Sequence, residues 1–380
     1  MLVRNDVRHD ARVRREAAAL SARYQVTVFG LDCGTPHEGD NGYQVCLIAV
    51  PARQPGARPG SVLATYPRFV GRAVIALTRH RPDVLHAHDL DALVPCAIAA
   101  ARLRVPLIYD AHELYAEQGR HGAFGRRLLR AVEDLAMRRA SAVLAANESR
   151  AEVMWREYRT PVRPTVILNC PQAGREPIVS DGRLRQWVAD QGRRWERIVI
   201  YEGGLLDDRH LRELAAAARR LPAGVGVVFV GAGPAADDIR RAGAERVLVH
   251  PLVPVEQLLP FIAGADVGVV TYANTCRNNF LCAPNKLFDY ARAGLPIAVG
   301  DLPELMRMVT DFDAGVVFRN GEPVSMADAI AGLLGDAERW RGAHEGVKRI
   351  ARQFTWESES RKLLRVYAEV LGARAAADCV

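Results

Sequence analysis

The sequence has no run of 18 or more apolar residues, so no membrane-spanning helix is expected. Its seven cysteines, Cys33, Cys46, Cys96, Cys170, Cys276, Cys282 and Cys379, include no Cys-x-x-Cys pair. That argues against a zinc ribbon, a thiol redox motif and a disulfide framework. The opening MLVRNDVRHDARV places charges where a secretory signal needs an apolar stretch, which with the scattered thiols predicts a cytoplasmic protein. Lysine is nearly absent. Of 51 basic residues only Lys286, Lys348 and Lys362 are lysines, so the net charge of +7 is carried by arginine. No basic run is interleaved with aromatics, which argues against nucleic acid as a partner. No short repeat or low-complexity tract occurs.

What is present is a globular composition, 49% hydrophobic and 25% charged, over 380 residues. That length exceeds one ordinary core and suggests two domains. Short β-type runs alternate with helical ones, the pattern of an α/β protein with mainly parallel sheets. In the first half strands are expected at Gln25–Phe29, Val84–His88, Leu107–Tyr109, Ala142–Ala145 and Thr165–Leu168. The second half restarts the alternation at Ile198–Tyr201. Between them PQAGREPIVSDGR reads as a linker, and PARQPGARPG (Pro51–Gly60) as a flexible loop. Only Met1–Arg4 are available for a strand ahead of the helix at Ala11. The expected organisation is residues 1–172 as an N-terminal domain, 173–196 as linker, 197–354 as a C-terminal domain, and 355–373 as a final helix. Two facing Rossmann-like domains of this kind leave a cleft between them, with ligands at the carboxyl ends of the strands.

The densest local signal is CAPNKLFDYARAGLPIAVGDLPEL (Cys282–Leu305). Pro284 suits a helix start, and Gly294 with Pro296 a helix end. Unpaired amides and the helix dipole favour an anion at such a start. Lys286 then stands in the first turn, where a cation is unfavourable to the helix itself, so it is expected to meet an anion such as a diphosphate. Asp289 shares a helix face with Asn285 and Lys286, suited to accepting from ribose hydroxyls or to pairing with Lys286. YEGGLLDDRHLREL supplies a strand end, the Gly203-Gly204 turn and Arg209 in the first turn of a following helix, a phosphate-type arrangement. FVGAGPAADDI carries Gly231 and Gly233 but Ala236 where a third glycine would stand, and the next strand ends without a ribose-binding acid. An NAD site is therefore discounted.

His86 and His88 in HAHDLDA fall on one face of a strand. A satisfied strand-end pair is preferred there to a metal site, and Asp89-Leu90-Asp91 is not read as a metal-binding D-x-D. Asp6, Asp10 and Arg12 suit either acceptor binding or a salt-bridged helix start. GRRLLRAVEDLAMRRA (Gly125–Ala140) reads as a solvated arginine face over a packed Leu128/Val132/Leu135 face, a basic membrane-surface helix being the other reading.

Taken in order, these segments resemble family 4 of the retaining GT-B glycosyltransferases. PNKLFDYARAGLPIAVGDLPEL looks like its donor-binding segment, and YEGG with the following arginine like its glycine turn. NDVRHDARVRREAAAL, DVLHAHDLDAL and PLIYDAHELY look like acceptor-side segments, and QFTWES like the start of the final helix. The resemblance implies a GT-B fold and transfer of a sugar from a nucleotide-diphosphate sugar, UDP-sugar foremost, to a hydroxyl of a glycan or small molecule. It implies no metal and no cofactor beyond that cosubstrate. Gly203, Arg209, Asn285, Lys286 and Asp289 would bind donor, His112 would stand by the transferred sugar, and Asp10, His88 and Asp89 would face the acceptor. Two positions depart from the pattern: the first acid of the family's Glu-x7-Glu pair falls on Leu281, and the basic residue of the glycine turn on Gly204. A non-catalytic GT-B-like partner protein, and a GT-B phosphorylase or epimerase, are the alternatives. Peripheral membrane contact stays open, and oligomeric state is not read.

Overall fold

The computed structural model describes residues 1–32, 42–49, 60–119, 121–160, 162–174 and 178–377. They form two compact units: Met1–Asn169 with Glu359–Val380, and Cys170–Ser358.

Unit 1 contains strands β1 (Thr27–Leu31), β2 (Gln44–Ile48), β3 (Leu85–His88), β4 (Leu107–Ala111), β5 (Ala140–Ala145) and β6 (Thr165–Val166). Its helices are α1 (Ala11–Ser21), α2 (Gly60–His80), α3 (Asp89–Leu103), α4 (Ala123–Met137) and α5 (Glu148–Arg156). All strands pair in parallel, β1 with β2 and then β3-β4-β5-β6. Every residue of β3 and β4 is buried, as strands covered on both faces require. Among the described residues the two groups are joined at the N-terminus, where Leu2 bridges Phe29 in β1 and Ala87 in β3. Its amide donates to the His86 carbonyl at 2.8 Å, and its carbonyl accepts from His88 at 3.0 Å. Chain order therefore reverses beside β3, and the residues following Leu2, β3 and β4 gather at one end of the sheet.

Unit 2 contains β7 (Arg197–Glu202), β8 (Val225–Val230), β9 (Val247–His250), β10 (Val267–Val270), β11 (Ile297–Gly300) and β12 (Gly315–Phe318). They lie in the order β12-β11-β10-β7-β8-β9, all parallel, with the reversal between β7 and β10. The helices are α6 (Arg183–Asp190), α7 (Leu211–Ala218), α8 (Ala236–Gly243), α9 (Val255–Ile262), α10 (Arg277–Phe280), α11 (Asn285–Arg292), α12 (Pro303–Thr310), α13 (Pro323–Gly335) and α14 (Ala337–Gln353). Valine- and isoleucine-rich strands such as VGVVFV bury every side chain, and Val199, Tyr201, Phe229, Leu214 and Ile330 belong to one core cluster. The last helix, α15 (Trp356–Ala377), starts in unit 2 and continues in unit 1.

Several expectations need correcting. The segment 173–196, read as linker, carries α6, which buries Leu184 and Val188; its polar, Pro- and Gly-bearing flank hid that short helix. β2 and α2 were not anticipated, and Gly60, assigned to a loop, opens α2. The rest of that loop, 51–59, lies outside the described residues. The apolar face of α4 is not packed: Leu128 is 55% and Leu135 68% exposed. Glu133 and Met137 face the protein instead, and Glu133 accepts a 2.6 Å hydrogen bond from the Tyr109 hydroxyl.

Candidate functional site

In unit 2, β7 ends at Glu202 and the chain turns at Gly203, whose φ of 119° suits glycine. The loop after β8 lies against this turn. A Cβ on Gly231 would stand 1.9 Å from the Gly203 carbonyl oxygen, and one on Gly233 2.2 Å from that of Leu205. The glycines of FVGAGP thus serve backbone packing between neighbouring strand ends.

Lys286 is the second residue of α11, whose N-terminus has no side-chain cap. Its ammonium lies 4.0 Å from the Tyr201 ring centroid and 5.3 Å from that of Tyr272. A Cβ on Gly203 would stand 3.3 Å from it. Lys286 is only 6% exposed, and among the described residues no carboxylate pairs with it and no group accepts its hydrogen bonds. Burial lowers its pKa to about 8, Glu202 opposing the shift and Arg209 adding to it. The Arg209 guanidinium sits 4.1 Å from the same Tyr272 ring, so the two cations share one aromatic wall. Asp208 holds Arg209 through an ion pair at 2.6 Å and a carbonyl contact at 3.2 Å, and itself accepts from Asn279 at 3.2 Å. Arg209 does not stand in the first turn of a helix as expected. It closes a 3₁₀ turn, Asp207–Arg209, and left-handed His210 separates it from α7.

Of the other donor candidates, Asn285 is exposed at the start of α11 and Asp289 half-buried one turn on, favouring the charged form of Lys286. Leu281 is buried at the end of α10. At Gly204 a Cβ would meet only Leu206, at 3.5 Å, so packing does not forbid a side chain there. Two cations at a glycine turn and an open helix N-terminus make a receptor for a polyanion.

In unit 1 a second cluster forms where β3 and β4 end. Parallel register sets His88 beside Asp110. Arg12, on α1, donates to both Asp110 oxygens at 2.8 and 2.7 Å and to the Ile167 carbonyl at 2.8 Å. His112 donates from Nε2 toward Asp110 at 3.0 Å, with His88 Nδ1 at 3.1 Å. Its amide donates to Asp89 at 2.9 Å, and its Nδ1 lies 3.7 Å from the other Asp89 oxygen. Burial opposes protonation of His112, yet Asp89 and Asp110 outweigh it and raise its pKa to about 9. Burial lowers His88 to about 4 despite Asp110, so the pair is an imidazolium against a neutral imidazole. Burial disfavours the Asp110 charge, but Arg12 and His112 hold its carboxyl well below the usual range; burial pushes Asp89 up to about 6. Asp10 caps α1 by accepting from the Val13 amide at 3.0 Å, and Asn5 donates to it at 2.7 Å. The His112 side chain is 17% exposed, whereas His88 is buried behind it.

Glu16, His86, His88 and Asp110 each offer an atom within 4.8 Å of the others, a spacing that suits a metal. The Arg12 guanidinium, 3.0 Å from Glu16 and doubly bonded to Asp110, already meets those two carboxylates. A cation there would have to displace it.

Residues 11–170 match the family described as Glycosyltransferase Family 4, and residues 196–336 match Glycosyl transferases group 1. The chain thus matches glycosyltransferase family models over both of its halves, the first of them that of family 4. It is 25% identical over 322 residues to a D-inositol 3-phosphate glycosyltransferase of Xylanimonas cellulosilytica, across 77% of this chain and 73% of that protein. Its fold matches a sucrose-phosphate synthase from Thermosynechococcus elongatus at TM-score 0.76 and 17% identity, over 98% of this chain and 99% of that one. It also matches Anabaena HepE in complex with UDP-glucose at TM-score 0.74 and 17% identity, over 97% and 98%. The fold of this glycosyltransferase is therefore GT-B, built from two Rossmann-like domains.

Sequence reasoning missed part of both clusters in this glycosyltransferase. Glu202, Tyr201 and Tyr272 surround Lys286, and Tyr290 accepts a 2.9 Å hydrogen bond from the Glu202 amide. Position at the carboxyl ends of β7 and β10 was the signal available for the first three. Gly268 makes room for Tyr290, since a Cβ there would stand 2.4 Å from its ring. Nothing in the local sequence paired Arg12 with Asp110.

Proposed function

We propose that this glycosyltransferase takes its sugar from a nucleoside diphosphate sugar bound in unit 2 and transfers it, with retention, to a hydroxyl of a glycan or small molecule. One observation carries the donor assignment: a nearly buried lysine ammonium without a protein partner among the described residues, beside Arg209 and the Gly203 turn. A diphosphate supplies the missing charge. Arg209, Lys286 and the α11 amides bind it, with Asn285 just before Lys286 and Asp289 one turn after Asn285 on the same helix. The Anabaena protein of the same fold is seen with UDP-glucose, which makes UDP the first nucleotide to try.

In the transfer, the bond from the anomeric carbon to the diphosphate oxygen breaks and a bond to the acceptor oxygen forms. The acceptor proton leaves on the departing phosphate. Charge accumulates on the diphosphate as the sugar becomes oxocarbenium-like, and preorganised cations lower that barrier. His112, held as an imidazolium by Asp89 and Asp110, is a donor to a sugar hydroxyl and not a base. Asp89 and Asp10 are the acceptor-side groups, with buried His88 supporting His112. A cytoplasmic site of action fits Cys46, Cys96 and Cys276, which form no disulfide. Among the described residues no helix is long and apolar enough to cross a membrane.

Calorimetric titration of UDP, GDP, TDP and ADP into wild type, Lys286→Ala and Arg209→Ala tests the reading. One nucleotide should bind, and each variant should weaken it by about 1.5–3 kcal/mol. Binding of none, or unchanged affinity in both variants, sinks the donor-site assignment.

A further inference from the structure

We infer that α4 is a docking helix that seats this glycosyltransferase on anionic lipid bilayers. A surface helix ordinarily turns its apolar stripe toward the core. In α4 the stripe faces out: Phe124 is 81%, Leu128 55%, Val132 36% and Leu135 68% exposed. These residues recur at helical spacing and share one face with Ala131. The opposite face is anchored by Met137 and by Glu133 in its hydrogen bond from Tyr109. Rotating the helix to hide the stripe would break that bond and leave the fully buried Tyr109 hydroxyl without its acceptor. The outward orientation is therefore built in.

Charge selects the occupant. Arg126 pairs with Glu117 at 3.6 Å and Arg130 with Asp134 at 4.0 Å, both toward the protein. Arg127 and Arg139, which border the apolar stripe, have no ion-pair partner among the described residues. An apolar stripe edged by arginines lies in a bilayer interface, side chains of phenylalanine and leucine in the acyl boundary and guanidinium groups among lipid phosphates. A second copy of the chain fits less well. Pairing two such stripes would gather the Arg127 and Arg139 cations of both copies at one interface.

The experiment is vesicle flotation of the full chain without nucleotide, so its outcome is separate from that of the donor-site titration. Vesicles of phosphatidylcholine alone are compared with equimolar phosphatidylcholine and phosphatidylglycerol. The wild type should float with the anionic vesicles, and less so as salt is raised. Phe124→Ser with Leu128→Ser should weaken binding about tenfold or more. Arg127→Gln with Arg139→Gln should weaken it about 25-fold on anionic vesicles and little on neutral ones. Both variants should melt with the wild type, because the altered side chains are exposed. Failure to float, or unchanged flotation of both variants, overturns the inference. So does a solution dimer that Phe124→Ser dissociates, which would make the stripe a self-interface, and so does unfolding of the apolar variant, which would place the stripe in the core.

Discussion

Replacing Lys286 by methionine should move stability and binding in opposite directions. Methionine keeps an unbranched apolar stem of similar reach and removes the ammonium. In the fold, burial holds the Lys286 pKa at about 8 against an ordinary 10.5. At about 1.36 kcal/mol per pH unit, folding disfavours the charged form by about 3 kcal/mol. Lys286→Met without nucleotide should therefore be the more stable protein at pH 7, by as much as about 3 kcal/mol. The sign follows from proton counts. Between pH 8 and 10.5 the unfolded chain holds a proton that the fold has shed, so wild-type stability rises there and the advantage of the variant fades. Binding should run the other way, with the nucleoside diphosphate weakened by about 1.5–3 kcal/mol, or roughly 10- to 150-fold. Denaturant unfolding at pH 7 and pH 10, with calorimetric titration of the same samples, reads both quantities. A variant less stable than wild type at pH 7, yet unchanged in nucleotide affinity, would refute the reasoning: Lys286 would then be a structural lysine.

Nucleotide binding at pH 8 should take up about half a proton, because the diphosphate restores the Lys286 ammonium; titrations in buffers of different ionisation enthalpy measure it, and zero uptake counts against the site. His112, raised from 6.5 to about 9, contributes stability that is complete below pH 6.5 and lost as pH rises through 9. His112→Gln should flatten the unfolding free energy over that window, and an imidazole titrating near 6.5 in the wild-type NMR spectrum would contradict the assignment. Asp110→Asn leaves Arg12 and Glu16 in a buried cluster short of one charge and should cost about 3–5 kcal/mol by chemical unfolding. Gly231→Ala forces a Cβ against the Gly203 carbonyl at positive φ and should cost about 2 kcal/mol or more; a melt matching wild type would mean the turn is looser than described.

The parallel sheets were legible because strands such as VGVVFV, and RIVIYE between its charged ends, are continuous apolar runs, the mark of burial on both faces. Lys286 stood out because the sequence has so few lysines and this one opposes a helix dipole. Tyr272, the ring that joins it to Arg209, gave no sign, since aromatic residues after strands are common in ordinary cores. Arg12 and Asp110 lie 98 residues apart, a separation that no window of local pattern spans. The direction of α4 was misread for a different reason. Helical periodicity shows that a helix has two faces, and only the partner of Glu133, which lies on β4, decides which of them turns inward.

Unit 1 is completed by residues that follow unit 2 in the chain. Glu359 accepts a hydrogen bond from the Leu168 amide at 2.9 Å, and the Tyr367 hydroxyl meets His86 Nδ1 at 2.8 Å. A gene cut after Asn169 would not encode a free-standing half, because its product would lack both partners and the buried Leu363. Unit 2 is one unbroken stretch. Recombination that exchanges unit 2 between such proteins must therefore make two joins, lifting it out as a cassette, whereas a single crossover would pair unit 1 with another protein's closing helix.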